Sequence, residues 1–577
     1  FQRIQLSPEN EQAFEERQIA TAREQITRLK AGENGSGAAL RRIEKQLASR
    51  EEKLRAQRDV ARDDGLNWEQ TGFDYLGVDE LHDFKNLQTV SAVRDVNIDG
   101  SKRAMDLFAK IDYHRNTLGQ DRVMVGATAT PIANSIAEMY VMQRYIDPAA
   151  LERVGIDDMD SWIATFAEVV TAPELSVAGG ERLVWKNRVA KFNNVPELLA
   201  MFHAFGDVKT PEDLKLPVPA IAPRPEDGER LPHTLIVPAS DALTGYTKDL
   251  GERADRVSSG GVDPSVDNML KIGTAGRLAA LDVRLVGLPN DDLQPSKVST
   301  AAKLLHRVWE QTRDYTYLDP TGQPSPVKGA LQVVFCDLST PGSGFHVYGA
   351  LKDALVQRGM PPEKIRFIHE AHNDNEKAQL LESCRNGHVA VLIGSTPKMG
   401  TGVNIQPRVI HLMHLDAPWR PADLTQRDGR GIRQLNQNPE VMVTNVVTDR
   451  SFDGFLWSTL ERKARFIDQV MTGRGVERSV EDIGQAALNY AEIKASIAGN
   501  PLLLEHAEAE RDLARLTRLA RAHERSNWSL RATIKTGEEK LAQIADELPK
   551  LQAAAAKTVD TRGDAFRMEG FVPAAML

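Results

Sequence analysis

Two short strings hold the side chains best suited to chemistry: Val78-Asp79-Glu80-Leu81-His82 and Gln426-Arg427-Asp428-Gly429-Arg430-Gly431-Ile432-Arg433. Each follows an apolar run. An Asp-Glu pair at a strand end suits Mg²⁺ through Asp79 and proton abstraction from a water through Glu80. In the second string the R-x-x-R spacing predicts Arg430 and Arg433 one helical turn apart. Two fork-shaped, permanent cations there suit a triphosphate, as arginine fingers toward its terminal phosphate. Gln426 is placed to hydrogen-bond the nucleotide or its water. His82 is read as coupling the acidic pair to the opposite half of such a site.

Intermediate strings supply further candidates. Gly126-Ala127-Thr128-Ala129-Thr130-Pro131 is a small-residue turn after an apolar run, and its hydroxyls, Thr128 and Thr130, can bond a carboxylate or imidazole of the first string. Ser395-Thr396-Pro397-Lys398-Met399-Gly400-Thr401-Gly402-Val403-Asn404 is a second turn. There Gly400 and Gly402 allow close backbone approach to a phosphate. Thr396 and Lys398 add contacts suited to a nucleic-acid backbone. His411 and His414 stand three apart on an expected strand, which points them to opposite faces and argues against a shared metal. His369-Glu370-Ala371-His372 lacks the spacing of a helix-borne zinc site.

These strings need strands that end at them. Phe73 to Val78, Arg122 to Val125, Leu331 to Phe335, Val389 to Ile393, Val409 to Leu415 and Val441 to Val447 read as buried strands of an α/β fold. Chemistry in such folds sits at the carboxyl ends of parallel strands. Residues 8–62 read as a helical hairpin. Ile19, Ala22, Ile26 and Leu29 form one stripe, and Leu40, Ile43, Leu47 and Leu54 form the other. Residues 147–290 read as mainly helical, with a Pro-rich interruption at 211–233. From about 501 to 551 a heptad seam runs unbroken, with polar positions at His523 and Asn527, and Pro549 is expected to end or kink it. The expected domains are a helical hairpin insertion (1–66), the C-terminal half of a first lobe (67–150), a helical linker (151–290), a second lobe (291–475) and a helical coiled-coil tail (476–577).

Composition narrows the class. The chain has 577 residues, 41% of them apolar and 27% charged, enough for several globular domains. Its net charge of −9 does not suggest nucleic-acid binding, although a local basic groove suffices for that. Two cysteines, Cys336 and Cys384, give neither a disulfide framework nor a zinc set, and a reducing cytoplasm fits. No apolar run approaches the roughly 20 residues of a membrane span.

The order D-E-x-H, T-A-T-P, S-T-x-x-x-G-x-G-x-N, D-x-x-W-x-P and Q-x-x-x-R-x-x-R resembles the superfamily II helicases, and among them the Swi/Snf-type DNA translocases. Thr130-Pro131-Ile132-Ala133-Asn134-Ser135-Ile136-Ala137-Glu138-Met139 and the stretch from Val237 through Tyr246 extend the likeness. It covers roughly residues 71–475. The resemblance implies two RecA-like lobes clamping ATP and Mg²⁺, and ATP-driven movement on duplex DNA. It also places Trp419 and Lys398 near DNA. The whole chain further resembles the helicase segment of large phage and plasmid proteins, where a DNA methyltransferase lies beside it. Neither D-P-P-Y nor N-P-P-[YF] occurs here, so a methyltransferase would be another domain of a larger polypeptide.

One departure matters. No G-x-x-x-x-G-K-[ST] string is present. Beginning at Phe1, the sequence is expected to lack the first part of lobe one, and the chain alone to be a poor ATPase. The alternative reading is a catalytically inactive DNA-binding or scaffolding module that keeps the fold.

Overall fold

The computed structural model describes residues 3–31, 44–45, 47–48, 51–52, 65–91, 93, 96–132, 137–175, 183–258, 262, 266–290, 294–399, 403–472, 478–481 and 501–556. It is a mixed α/β structure that divides into two units, residues 1–512 and 513–577.

In lobe one, β1 (Leu76–Asp79) and β2 (Met124–Ala127) pair in parallel, with Asp79 beside Ala127. Helices Lys102–Asp112 and Glu138–Ile146 bury Leu107, Ile111, Val141 and Tyr145 beside them. The first arm of the expected hairpin is the helix Pro8–Ala31. It docks on lobe one: Phe14 meets Phe108 edge-on and Arg17 pairs with Asp112 at 2.5 Å. The hairpin turn at 32–37 lies outside the described residues.

The segment expected to be mainly helical is not so throughout. β3 (Ala167–Leu175) and β4 (Leu183–Asn193) form an antiparallel pair within it. Val169-Val170-Thr171 and Leu183-Val184-Trp185 are rich in β-branched and large apolar residues that suit extended backbone, and tertiary pairing decides the outcome.

Lobe two is built on a seven-stranded parallel sheet in the order β5-β11-β10-β7-β9-β8, with β6 also on β11. Its strands are β5 (Ala220–Ile221), β6 (His233–Val237), β7 (Leu331–Phe335), β8 (Ile365–Phe367), β9 (Val391–Gly394), β10 (Val409–His414) and β11 (Glu440–Thr448). The sheet therefore takes strands from residue 220 onward, well before the expected lobe boundary at 291. Alternate residues feed two cores. Val334, Ile393 and Met413 pack with helices Lys297–Thr312 and Val347–Gln357, whereas Val333, Phe335 and Leu392 pack with Asp374–Arg385. Both faces are covered, so the central strands carry near-continuous apolar runs. One polar ladder crosses them: Gln332, His411 and Thr444 lie on β7, β10 and β11, each contact at 3.0 Å.

After lobe two, helix Phe452–Thr472 leads toward β12 (Ser479–Glu481), which returns to pair with β4. The helix Pro501–Ala555 then runs through Pro549 rather than stopping there. A missing N–H and a local bend on an exposed surface are tolerable. Among the described residues, no helix is long and apolar enough to cross a membrane.

Candidate active site

The first string sits at the carboxyl end of β1. Asp79 ends the strand, exposed, and its Oδ1 accepts the Glu80 N–H at 2.9 Å. Glu80 is held in the left-handed region (φ 52°), a conformation a non-glycine residue takes only when its surroundings enforce it. His82 is buried beside it. Its Nδ1 lies 3.0 Å from Thr128 Oγ1 and 3.2 Å from Glu80 Oε2. Thr128 follows β2, and its hydroxyl also accepts the Thr130 N–H at 3.1 Å. The Thr130 hydroxyl is buried with no partner among the described residues. A Cβ at Gly126 would crowd the Leu81 side chain that packs under the turn, so a larger residue here requires that side chain to shift. The partners of His82 thus come from its own lobe, not from the opposite one as expected.

Mg²⁺ needs only one or two carboxylates, since it keeps most of its waters and takes phosphate oxygens. The exposed Asp79 carboxylate and the neighbouring Glu80 fit that requirement. Among the described residues there is no cluster of three or more His, Cys, Asp or Glu side chains able to hold a metal by themselves.

The second half is assembled at the carboxyl ends of three adjacent strands of lobe two. Asp337 follows β7, Thr396 follows β9 and Asp416 follows β10. Arg427, fully buried, joins them. Its guanidinium donates to Thr396 Oγ1, Asp337 Oδ2 and the Asp416 carbonyl, each at 2.8 Å, and to Asp416 Oδ1 at 3.1 Å. Asp416 Oδ2 accepts the N–H groups of Asp337 and Leu338 at 2.6 and 2.8 Å. Arg427 lies on helix Pro421–Asp428. That helix is further tied to the sheet by His414 Nε2, 3.0 Å from Asp428 Oδ1. It stops at Asp428, so Arg430 and Arg433 sit in the following turns rather than one turn apart on a helix. Gly431 lets those turns lie on β10, where a Cβ would meet Val409 at 2.9 Å.

The two halves face each other. Burial pushes the Arg430 guanidinium down and nearby Arg433 adds to this, while the Glu80 carboxylate of lobe one favours its charge. Arg420 is raised, first by its bond to Asp423, against burial, and then by Asp423, Asp83 and Glu138, the last two in lobe one. Arg430 also donates to the Val403 carbonyl at 3.0 Å, while Arg433 is exposed and Gln426 half-buried.

The expected DNA contacts differ among themselves. Thr396 is buried, with its N–H and hydroxyl donated to Asp337 at 2.6 and 2.8 Å, so its polar groups serve the lobe-two network. Lys398 is exposed near His369, which burial and then Lys398 push below its ordinary pKa. Trp419 is 49% exposed, with the buried Arg277 guanidinium 4.3 Å from its ring centre. Gly400 and Gly402 lie outside the described residues. Sequence reasoning missed Asp337, Asp416, Arg427 and Arg277. Both aspartates directly follow apolar runs, a usable signal, but nothing local marks Arg427 as the internal one of three arginines.

The chain matches a family model described as a probable helicase domain over residues 1–210, and one described as the helicase conserved C-terminal domain over residues 333–434. It is 32% identical over 87 residues to the defense against restriction protein B of Escherichia phage P1, covering 15% of this chain and 4% of that protein. It is 30% identical over 95 residues to the uncharacterized ATP-dependent helicase YqhH of Bacillus subtilis (strain 168), covering 16% of each. The chain thus spans a small part of the curated relatives it matches. Among solved structures, the C-terminal part of the Fun30 ATPase domain aligns with 42% of this chain and 97% of its own, at 14% identity and a TM-score of 0.27. The DUF1998 helicase MrfA bound to DNA aligns with 31% of this chain and 22% of its own, at 14% identity and a TM-score of 0.22. Matches to two helicase family models, and to a stretch of a relative named as an ATP-dependent helicase, support a helicase superfamily for this chain.

Proposed function

We propose that the chain is the motor segment of a Swi/Snf-like DNA translocase, hydrolysing ATP between its two lobes. The observation that carries this is that the Glu80 carboxylate, at the end of β1, acts on the charge of Arg430, which follows the arginine-locked helix of lobe two and has Arg433 nearby. Asp79 is the residue to hold Mg²⁺, which neutralises phosphate charge when bound. Glu80 Oε2 takes the proton of the attacking water. His82 Nδ1, between that oxygen and Thr128 Oγ1, orients the carboxylate. Arg430 and Arg433 then offset charge that grows as the bond to the terminal phosphate breaks. Arg427 holds their turn against the sheet without reaching the reacting atoms.

DNA is proposed to meet lobe two at Lys398 and Trp419. Both are exposed, and Arg277 props the indole from behind. The reading also needs more of lobe one. A two-stranded parallel sheet is small for its class, and Phe73, Tyr75 and Val125 stand 51–56% exposed around it. Further strands, with a phosphate loop, from a longer polypeptide would cover that surface.

The test is Glu80→Gln in such a complete polypeptide. Size is kept and the base is removed, so ATP binding should persist while steady-state turnover falls by roughly 10² or more. Near-normal turnover would remove Glu80 from this role.

A further inference from the structure

The 55-residue helix Pro501–Ala555 carries an apolar seam that the proposed motor does not use. Leu513, Ala520, Asn527, Ile534, Leu541 and Leu548 take one set of heptad positions, a. Leu516, His523, Leu530, Gly537, Ile544 and Leu551 take the other, d. The leucines and isoleucines at 513, 516, 534, 541, 544, 548 and 551 are 50–68% exposed. A continuous stripe of this kind marks a packing surface rather than scattered surface apolarity.

We propose that this seam pairs with the seam of a second copy of the chain, antiparallel, about a two-fold axis at residue 525. In antiparallel coils an a residue of one helix faces a d residue of the other. Centred on 525, that rule sets Leu513 against Gly537 and Leu516 against Ile534. It sets Ala520 against the leucine at 530, and His523 against Asn527. Symmetry makes each pair twice. Every residue with little or no side chain then meets a large one, as dense interdigitation requires. The seam's two polar groups meet each other. In the single helix those same two groups already bond along the chain at 3.0 Å, so they are matched as donor and acceptor.

This self-match picks out a second copy as the occupant. A parallel pair would set Gly537 on Gly537 and Ala520 on Ala520, leaving two voids, and would stack His523 on His523. On the flanks, the antiparallel register brings Lys540 opposite position 512, an aspartate. It also brings Glu524 near its own copy at the axis, and sets the glutamates at 510 and 538, and at 505 and 547, near one another; the apolar and His-Asn pairs must outweigh these like-charge approaches. Centred on 525, the two helices overlap from 501 to 549, roughly 72 Å at 1.5 Å per residue, with residues 513–537 as the middle three and a half heptads. The arrangement is isologous and closes at two chains.

The experiment uses the full 577-residue chain at micromolar concentration. Both native cysteines are buried, so a spin label goes to one added thiol. Ser526→Cys lies next to the axis and Gln552→Cys far from it. Sedimentation should give a dimer. Dipolar spectroscopy should give a short distance at 526 and roughly 80 Å at 552, from 27 residues on each side of the axis at 1.5 Å. Ile534→Glu, which sets a carboxylate against Leu516, should raise the dissociation constant roughly tenfold or more with helical circular dichroism unchanged. A short distance at both sites means a parallel pair and overturns the proposal. So does a monomer with no dipolar signal, whether its seam stays bare or meets a different protein, and so does a dimer indifferent to Ile534→Glu.

Discussion

Replacing Arg427 by methionine keeps length and removes the guanidinium at the centre of lobe two. Arg427 is 1% exposed and Asp416 is 2% exposed. The change deletes four donated hydrogen bonds and leaves Asp416 as a buried carboxylate without its cation. Two backbone N–H groups still reach Asp416 Oδ2, which limits the loss. Removing one partner of a buried pair costs about 3–5 kcal/mol. The chain has several domains, so a single unfolding midpoint is a poor measure. Hydrogen exchange of the Asp337 and Leu338 amides, which donate to Asp416, reads lobe two directly. Their protection should fall by between about a hundred- and a few-thousand-fold. Adding Asp416→Asn should recover a large part, because the stranded charge goes with it. Protection of Arg427→Met within about threefold of the unaltered chain would refute the idea that this network holds the lobe.

Two further outcomes follow from the same geometry. In the complete polypeptide, Arg433→Ala should lower ATP turnover by on the order of 10³-fold with little change in duplex affinity at fixed salt; Arg430→Ala should match it and also loosen the Val403 segment, seen by hydrogen exchange. A loss confined to DNA binding would count against both. His411 is pushed down to about 3, by full burial first and then by His414, His233 and Arg307. Below an unfolded pKa near 6.5 the unfolded chain takes up a proton that the folded one refuses, so lobe two should be fully stable above that pH. It should weaken by up to about 1.4 kcal/mol per unit as pH falls toward 3. His411→Gln should flatten that slope, read as lobe-two exchange protection between pH 7 and 4, and an unchanged slope would exclude His411 as its source.

The strands at the centre of lobe two were legible because parallel strands covered on both faces must be apolar throughout. Leu331–Phe335 and Val409–His414 stand out for that reason. Edge strands carry no such signal. Ala220–Ile221 and His233–Val237 sit in a Pro-rich stretch, tolerated at an edge where N–H groups need no ladder partner. Ala167–Leu175 lies in a segment that reads as mainly helical, because only pairing with Leu183–Asn193 decides its form. In the site, residue types at strand ends pointed to Asp79 and Glu80. Which arginine of the 426–433 string turns inward depends on where helix Pro421–Asp428 meets the sheet, and no local spacing encodes that.

The pairing of β12 with β4 has a consequence for how the molecule is made. β4 ends at Asn193 and its third-strand neighbour starts at Ser479, so about 286 residues, including all of lobe two, must be synthesised in between. At 5–20 residues per second this is roughly 15–60 s. During that interval one edge of the β3–β4 hairpin, from Lys191 to Asn193, waits unpaired. The contact is among the longest in sequence separation in the chain, and its closure entropy falls due only after lobe two is complete. Emergence of residues 479–481 is thus the step at which the nascent chain is stitched across both lobes, and a hairpin left open until then is the segment on which a chaperone or a neighbouring nascent chain would act.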